Sequence, residues 1–324
     1  MELRKLQSTP DGTSFVTLPK SWVKKAGIVK GNVLSFVERE DGSLLISPYG
    51  ETERKIEEGT LHPSSLIELE IEEKYLLGYD IIRIDSKEVI EPEMRDKVKE
   101  TIKRYVGLEI VEEDARKILI QCLLEQTLLI PDRIIRRLHL ITLAMQKDAV
   151  LAVSQNDSKL ARSVVERDEE VDRLYFLLVR LVRSGIRTPS LLEKLSIRPV
   201  DCLDYRLLAV FIESFADCAV EVANKALSPP YGKIPEKVAT QLEKIGDMIY
   251  KMHEDALGSV LARDLKTASK FSTRSLEVKS FIEKAEEILL ETPREVVEQL
   301  TPVIVALSRM NDLNVDIADL TVTR

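Results

Sequence analysis

Two stretches of this chain decide the fold, MQKDAVLAVSQND at residues 145–157 and MHEDALGSVLARD at residues 252–264. They share a methionine, an Asp-Ala pair, a valine and a closing aspartate at a constant offset. With a slightly smaller offset, ESFADCAVE at 213–221 aligns with SRMNDLNVD at 308–316. Self-similarity at a fixed spacing is the signature of a duplicated structural unit. We therefore predict an internal repeat in the second part of the chain.

Helical periodicity surrounds both copies of the repeat and continues from Pro131 to the end of the sequence. Proline, glycine and Asn-Asp-Ser breaks divide this region into six helices of bundle length, with three in each copy. The predicted helices are 132–155, 158–184, 200–227, 235–259, 263–290 and 295–322. The sequence thus predicts two tandem three-helix bundles, at 128–228 and 233–322.

The residues before the repeat form two smaller predicted domains. Residues 1–48 combine short strands at 3–7, 14–18, 33–39 and 44–47 with a helix that Pro19 opens and an Asp41-Gly42 hairpin turn. So small a core is insufficient for a monomer, and we expect this β-rich head to dimerise. Residues 51–126 are predicted to be an α/β connector, with strands at 55–60, 80–84, 109–111 and 117–124 and helices at 64–77 and 92–106. The predicted fold class is mainly α.

Composition excludes several classes of protein. The 324 residues include only three cysteines, which are scattered, so a disulfide framework is not expected. No apolar stretch has the length of a membrane span, and we expect a cytoplasmic protein without membrane insertion. Glycine is scarce and no P-loop, dinucleotide-binding turn or nucleophile elbow is present, which argues against an enzyme.

Charge is distributed unevenly along the chain. The net charge is −8, which ordinarily disfavours nucleic acid as a partner. The first thirty residues, however, carry six basic side chains against two acidic ones. Lysine and arginine on a small domain can contact phosphates, although they can also be a solubilising face. The candidate DNA contacts are Arg4, Lys5, Lys20, Lys24 and Lys25.

Acidic residues recur one turn apart on two helices of the first copy. They are Asp168 and Asp172 on one helix and Glu213, Asp217 and Glu221 on the other. Like charges at this spacing repel unless a cation or a basic partner neutralises them. Carboxylate oxygens suit divalent metals or iron, and facing bundle helices can present them together. A solvated acidic stripe with neighbouring arginines as partners is the alternative interpretation.

The second copy departs from this acidic pattern. Ser275, Lys279 and Ser308 replace three of the acids, whereas Asp312 and Asp316 remain. A lysine at such a place would replace a cation electrostatically. We therefore predict a metal site, if one exists, in the first repeat only. None of the three histidines follows a glutamate by three residues, so a di-metal carboxylate enzyme is not expected.

Together these motifs resemble those of the phosphate-uptake regulator (PhoU) family, whose members carry metal clusters on such carboxylates. The resemblance covers residues 128–322, and each motif is weak alone. Its residues are Met145, Asp148, Ala149, Asp157, Asp168, Asp172, Glu213 and Asp217, with Met252, Asp255, Ala256, Asp264, Asp312 and Asp316 in the second copy.

The head resembles another family. Its segment SFVTLPKSWVKKAGIVKGN, residues 14–32, is similar to AbrB-type swapped-hairpin DNA-binding modules, with Asn32 where that family has aspartate. The two resemblances together imply a regulator of phosphate uptake that binds DNA, dimerises and acts with phosphate-transporter or signalling components. The alternative is a transporter-binding adaptor that uses the head only to dimerise.

Overall fold

The computed structural model describes residues 2–38, 42–49, 56–227 and 234–323. The chain divides into two compact units, Met1–Ile56 and Glu57–Arg324. The finer division into the four predicted domains stays a prediction. Some predicted features lie wholly or partly outside the described residues: Arg39 at the end of a predicted strand, Asp41 of the hairpin turn, the start of the connector at 51–55, and the proline break at 229–230.

The head contains two antiparallel hairpins and one short helix. Strands β1 (Gln7–Ser8) and β2 (Ser14–Phe15) flank a turn in which the Gly12 amide donates to the Thr9 carbonyl at 3.0 Å. Helix α1 (Lys20–Lys25) begins after Pro19, and β3 (Leu34–Glu38) pairs with β4 (Leu44–Pro48). The predicted strand at 3–7 is wrong except for Gln7, because β2 offers only two residues to pair with and a ribbon that short is marginal.

The connector is a four-stranded sheet covered by two helices. Along the chain these are β5 (Glu58–Leu61), α2 (Ile67–Leu76), β6 (Ile81–Asp85), α3 (Pro92–Lys103), β7 (Leu108–Glu113) and β8 (Lys117–Cys122), followed by a 3₁₀ helix at Gln126–Leu128. The strand order is β5-β6-β8-β7, with only the β5–β6 pair parallel. Ile71, Ile82 and Ile118 are in its separate buried core.

The loop between the strands predicted at 109–111 and 117–124 of the connector is shorter than expected. Strand β7 continues to Glu113 with an irregularity between Ile110 and Glu112, and the turn follows Asp114. The reason is local, since the Asp114 carboxylate accepts hydrogen bonds from the amides of Arg116 and Lys117 at 2.7 and 3.0 Å. This side chain fixes the turn after the end of β7.

Long helices form the rest of the molecule, three in each copy of the repeat. The first copy has α4 (Pro131–Gln155), α5 (Ser158–Arg187), a short α6 (Pro189–Leu195) and α7 (Asp201–Leu227). The second has α8 (Glu236–Ala262), a one-turn α9 (Leu265–Ala268), α10 (Phe271–Leu290) and α11 (Arg294–Asp319), which ends in a 3₁₀ helix at Leu320–Val322. The structure thus confirms two tandem three-helix bundles preceded by small β and α/β elements. No helix in the described residues is long and apolar enough to cross a membrane.

Two details of the helices differ from the sequence prediction. Helix α6 was not expected, and the predicted helix 263–290 is interrupted at Ser269 and Lys270. Asp264 caps the start of α9, since its carboxylate accepts a hydrogen bond from the Thr267 amide at 3.1 Å. A capping side chain here starts a separate short helix.

The two copies pack against each other through stacked rings. His253 of α8 lies between His139 of α4, with ring centroids 4.7 Å apart, and Phe215 of α7, 3.8 Å away. The Asn314 side-chain oxygen lies 2.7 Å from Nδ1 of His253. Burial lowers the pKa of His139 to about 4 and that of His253 well below its usual value. These imidazoles therefore act as neutral packing groups at the seam between the copies.

Candidate functional site

The predicted DNA contacts lie in two places in the head. Lys20, Lys24 and Lys25 belong to α1, where all three are exposed. Arg4 and Lys5 precede β1, and Arg4 forms an ion pair with Glu2. Helix α1 contains no buried residue, and Trp22 is only partly buried. Three of the five predicted contacts thus share one exposed helix.

Asn32, the departure from the AbrB-type pattern, retains a hydrogen-bonding role. Its side-chain oxygen accepts from the Val29 amide at 2.8 Å, which closes the loop after α1. A carboxylate oxygen would accept the same bond. The substitution of asparagine for aspartate therefore leaves the local turn intact and removes one negative charge from the basic head.

Helices α5 and α7 bring together four of the five predicted metal-binding carboxylates. Asp168 and Asp172 of α5 act electrostatically on Glu213 of α7, and Asp217 acts on all three. All four side chains are partly buried. The fifth residue, Glu221, is exposed one turn further along α7, with Oε1 3.7 Å from Nη1 of Arg309. We call the set Asp168, Asp172, Glu213 and Asp217 the four-acid cluster.

Burial and mutual repulsion raise the pKa values of the four-acid cluster. Burial, followed by the charges of neighbouring acids, raises the pKa of Asp168 to about 6 and that of Glu213 to about 7. The pKa of Asp172 is raised by burial and by Asp217. Burial also raises the pKa of Asp217, and Arg309 opposes that shift. Such shifts arise where burial and neighbouring negative charges outweigh the effect of nearby cations.

The donor chemistry of the cluster fits a hard cation, although its present geometry does not form a coordination sphere. Within the ranges that the structure describes, no three acidic, histidine or cysteine side chains are arranged to hold one metal ion. Across those same ranges, no member of the cluster has an ion pair within 4 Å. Partly buried oxygen ligands without basic partners are what Mg²⁺, Mn²⁺ or Ca²⁺ prefer.

The equivalent place in the second copy is occupied by complementary groups. Lys279 Nζ of α10 lies 3.0 Å from Asp312 Oδ1 of α11. Ser275, at the position of Asp168, accepts a hydrogen bond at Oγ from the Asn311 amide nitrogen, 2.8 Å away. In the second copy, Lys279 thus pairs with one of the two retained acids.

Residues that the sequence analysis did not single out border the four-acid cluster. Arg104 and Glu72 of the connector both act electrostatically on Asp172, with opposite effects. Tyr105 donates its hydroxyl to Glu72 Oε2 at 3.0 Å and packs on Phe176, with ring centroids 5.3 Å apart. Phe176 follows Asp172 by one turn of α5, so Tyr105 of the connector packs close to the cluster.

Comparisons with known protein families give two matches. The PhoU domain profile matches residues 135–226, and that of MazE, described as antidote-toxin recognition MazE, bacterial antitoxin, matches residues 11–54. No curated protein matches the chain by sequence.

Two solved structures are similar to the helical part. The phosphate transport system regulatory protein PhoU from Streptococcus pneumoniae has 15% identity and a TM-score of 0.51, over 59% of this chain and 91% of that one. PhoU from Pseudomonas aeruginosa has 20% identity and a TM-score of 0.44, over 59% and 93% of the two chains. The first likeness supports the bundle fold.

Proposed function

Because the chain contains a PhoU domain behind a MazE-like and AbrB-like head, we propose that it is a DNA-binding regulator of phosphate uptake. The head would contact DNA, and the helical repeats would respond to a cation or to a protein partner from phosphate transport or signalling. The observation that carries this proposal is the pairing of a separate basic head with a PhoU domain on one chain. We propose a regulatory role and no catalysed reaction for the chain.

Exposed apolar side chains in the head support a homodimer. Leu3 is 80% exposed, Val29 is 67% exposed and Phe36 is 60% exposed. A folded unit this small rarely leaves so many large apolar side chains in water, and a second copy of the head would cover them. Two heads would also present two copies of α1 to one DNA duplex, which strengthens binding through a second set of phosphate contacts.

The four-acid cluster supports a cation as the signal sensed by the first repeat. Asp168, Asp172, Glu213 and Asp217 would supply oxygen ligands, and the cation would remove their mutual repulsion. Glu221 would remain at the edge of the site with Arg309. Asp168 and Asp172 of the cluster lie on α5, which also contacts the connector through Arg180. Coupling requires that the cation or partner bind one of two states more tightly.

The DNA-binding part is tested with the full-length chain and a duplex from its own upstream region. We expect binding that weakens steeply as salt rises, because lysine contacts to phosphates release counterions. Replacing Lys24 and Lys25 with alanine is expected to weaken binding on any sequence and to reduce the slope of log K against log salt by about 2.

The matched control for that measurement replaces two exposed lysines of the helical repeats, Lys159 and Lys266, with alanine. This variant loses the same charge outside the head and is expected to bind as the wild type does. No binding by the wild type at low salt, with the dimer intact, would favour the adaptor that uses its head only to dimerise.

The cation part is tested by metal analysis of the purified chain. We expect bound divalent metal or iron in the wild type and a loss of at least tenfold in affinity when Asp172 and Asp217 are both replaced by asparagine. Replacing Asp312 and Asp316 in the second repeat is the control and should leave the metal content unchanged. Equal metal content in the wild type and the Asp172→Asn, Asp217→Asn variant would refute a site at this cluster.

A further inference from the structure

Helix α4 carries a basic surface that is separate from the head. Every exposed side chain from Arg133 to Lys147 on this helix is either basic or apolar. Their spacing of three and four residues places them along one face of the helix, away from the bundle core. We call this set the α4 surface, and its members are Arg133, Arg136, Arg137, Leu140, Ala144 and Lys147.

Two arginines of the α4 surface have no acidic partner. Arg137 pairs with Glu170 of α5. Across the ranges that the structure describes, neither Arg133 nor Arg136 forms an ion pair within 4 Å. Both are exposed, on a chain whose net charge is −8. Their planar guanidinium groups are therefore available to a carboxylate from outside the chain, which arginine binds through two parallel hydrogen bonds.

Exposed apolar side chains accompany these arginines. Leu140 is 66% exposed on the α4 surface, and Leu128 and Ile130, just before the helix, are 76% and 43% exposed. A single leucine in water is common on any protein. A leucine surrounded by arginines, however, has the composition of a protein interface, in which apolar contacts lie within a polar rim.

The equivalent face of α8 in the second copy has neither property. At the offset that relates the two copies, Glu243 stands in place of Arg136, and Asp247 stands in place of Leu140. Lys244 lies 4.1 Å from the centre of the Phe281 ring. The charged side chains exposed there alternate in sign, in the order Lys244, Asp247, Lys251 and Glu254. The basic and apolar character thus belongs to the first copy and is not a general feature of the bundle helices.

We propose that the α4 surface binds an acidic segment of a protein partner, with carboxylates on Arg133 and Arg136 and an apolar side chain on Leu140. The inference rests on the proposed function and deepens it, because it gives the partner of the helical repeats a binding place and a chemistry. An amphipathic helix with acidic residues three or four positions apart beside a leucine matches the spacing of the surface. Arg136 also acts electrostatically on His139, so the surface adjoins the seam between the copies.

Other anionic partners match the α4 surface less well. A membrane surface requires a broad apolar face for insertion, whereas Ile134, Ile135 and Leu138 of α4 are buried in the bundle. DNA phosphates would pair with the arginines but would leave Leu140 in water. An acidic protein segment can satisfy both the charges and the leucine.

Binding of a labelled synthetic peptide to the full-length chain tests the inference by fluorescence anisotropy. The peptide is an amphipathic helix with glutamate on one face and leucine on the other. We expect Arg133→Ala with Arg136→Ala to weaken binding by about tenfold and Leu140→Ser to weaken it by a smaller factor. Replacing Lys244 and Lys251 of α8 with alanine is the matched control and should leave binding unchanged. The head is the same in all these variants, so a loss confined to the first two locates the contact on α4.

The same samples are measured with a peptide that has glutamine for glutamate, with phosphatidylglycerol vesicles and with the upstream duplex. The glutamine peptide should bind more weakly, because the arginine contacts need carboxylates. No binding of the glutamate peptide by the wild type at low salt would overturn the inference, as would equal binding by the Arg133→Ala, Arg136→Ala variant. A variant that keeps the peptide but loses the vesicles or the duplex would assign the surface to a membrane or to DNA instead.

These measurements separate the inference from the proposed function. If the duplex binds and the peptide does not, the α4 surface is rejected and the DNA-binding head stands. If neither binds, both are rejected. All the substituted side chains are exposed, so the variants are expected to unfold at the wild-type temperature.

Discussion

At the scale of single residues, Asp168 and Glu213 show how burial changes the role of an acid. Both sit between α5 and α7, where water is partly excluded and other carboxylates are close. An exposed acidic stripe would keep ordinary pKa values, so the raised values favour a cluster over the solvated alternative. Arg162 and Arg173 are exposed and pair with no member of the cluster, and Arg167 pairs with Asp148.

The raised pKa values predict how stability depends on pH. With pKa values of about 6 and about 7, Asp168 and Glu213 hold protons in the folded chain that the unfolded chain has already released above pH 4–5. Stability therefore falls as pH rises through this window. We expect Tm in chelator to fall between pH 5 and pH 8, and Glu213→Gln to flatten that fall.

Differential scanning calorimetry at several pH values measures this dependence. Glu166→Gln, at an exposed position of α5, serves as the control and should follow the wild type. Added Mn²⁺ should also reduce the dependence, because a bound cation favours the ionised carboxylates. A Glu213→Gln chain with the same pH slope as the wild type would mean that the cluster does not hold protons.

At the scale of elements, α5 joins the connector to the first repeat. Arg180 is only 1% exposed and caps the C-terminal end of α2, donating to the carbonyls of Tyr75 at 2.7 Å and Tyr79 at 2.8 Å. The close approach needs Gly78, with φ 84°, because a Cβ there would lie 2.5 Å from Ser184 Oγ. Asp172, Phe176, Arg180 and Ser184 follow one another at four-residue spacing on α5. One face of α5 therefore contributes to the cluster and also contacts the connector.

Removal of Arg180 should loosen this junction. Arg180→Met leaves two buried carbonyls without their donors and is expected to cost about 3 kcal/mol of unfolding free energy. Arg183→Met removes an exposed arginine from the same helix and is expected to cost less than about 0.5 kcal/mol. Urea unfolding of the full chain measures both. Equal losses for the two variants would show that Arg180 does not anchor the connector.

The sequence predicted the elements better than the contacts between them. Six long helices could be predicted because helical periodicity and the helix breaks at Pro235, Pro293 and Asn156 are local features of the sequence. The spacing of the acidic residues and the presence of Lys279 could also be identified, because they too are local features of the sequence. The capping of α2 by Arg180 and the ring stack of His139 on His253 join residues more than 100 positions apart. Only tertiary packing brings such residues together.

At the scale of the whole molecule, the net charge of −8 combines two opposite parts. The exposed lysines of α1 belong to Met1–Ile56, and the four-acid cluster belongs to Glu57–Arg324. In the proposed function, a basic head would be attracted to DNA phosphates and an acidic body repelled from them, which would confine contact to the head. The pairing of these parts on one chain underlies the proposed regulatory role.

The most direct test of that role is chromatin occupancy of the full-length chain in phosphate-rich and phosphate-starved cells. The account predicts enrichment at discrete promoters, among them those of phosphate-transport genes, and a change in occupancy between the two conditions. It also predicts that the enrichment disappears when Lys24 and Lys25 are replaced by alanine. Wild-type occupancy indistinguishable from that of this variant in both conditions would contradict it.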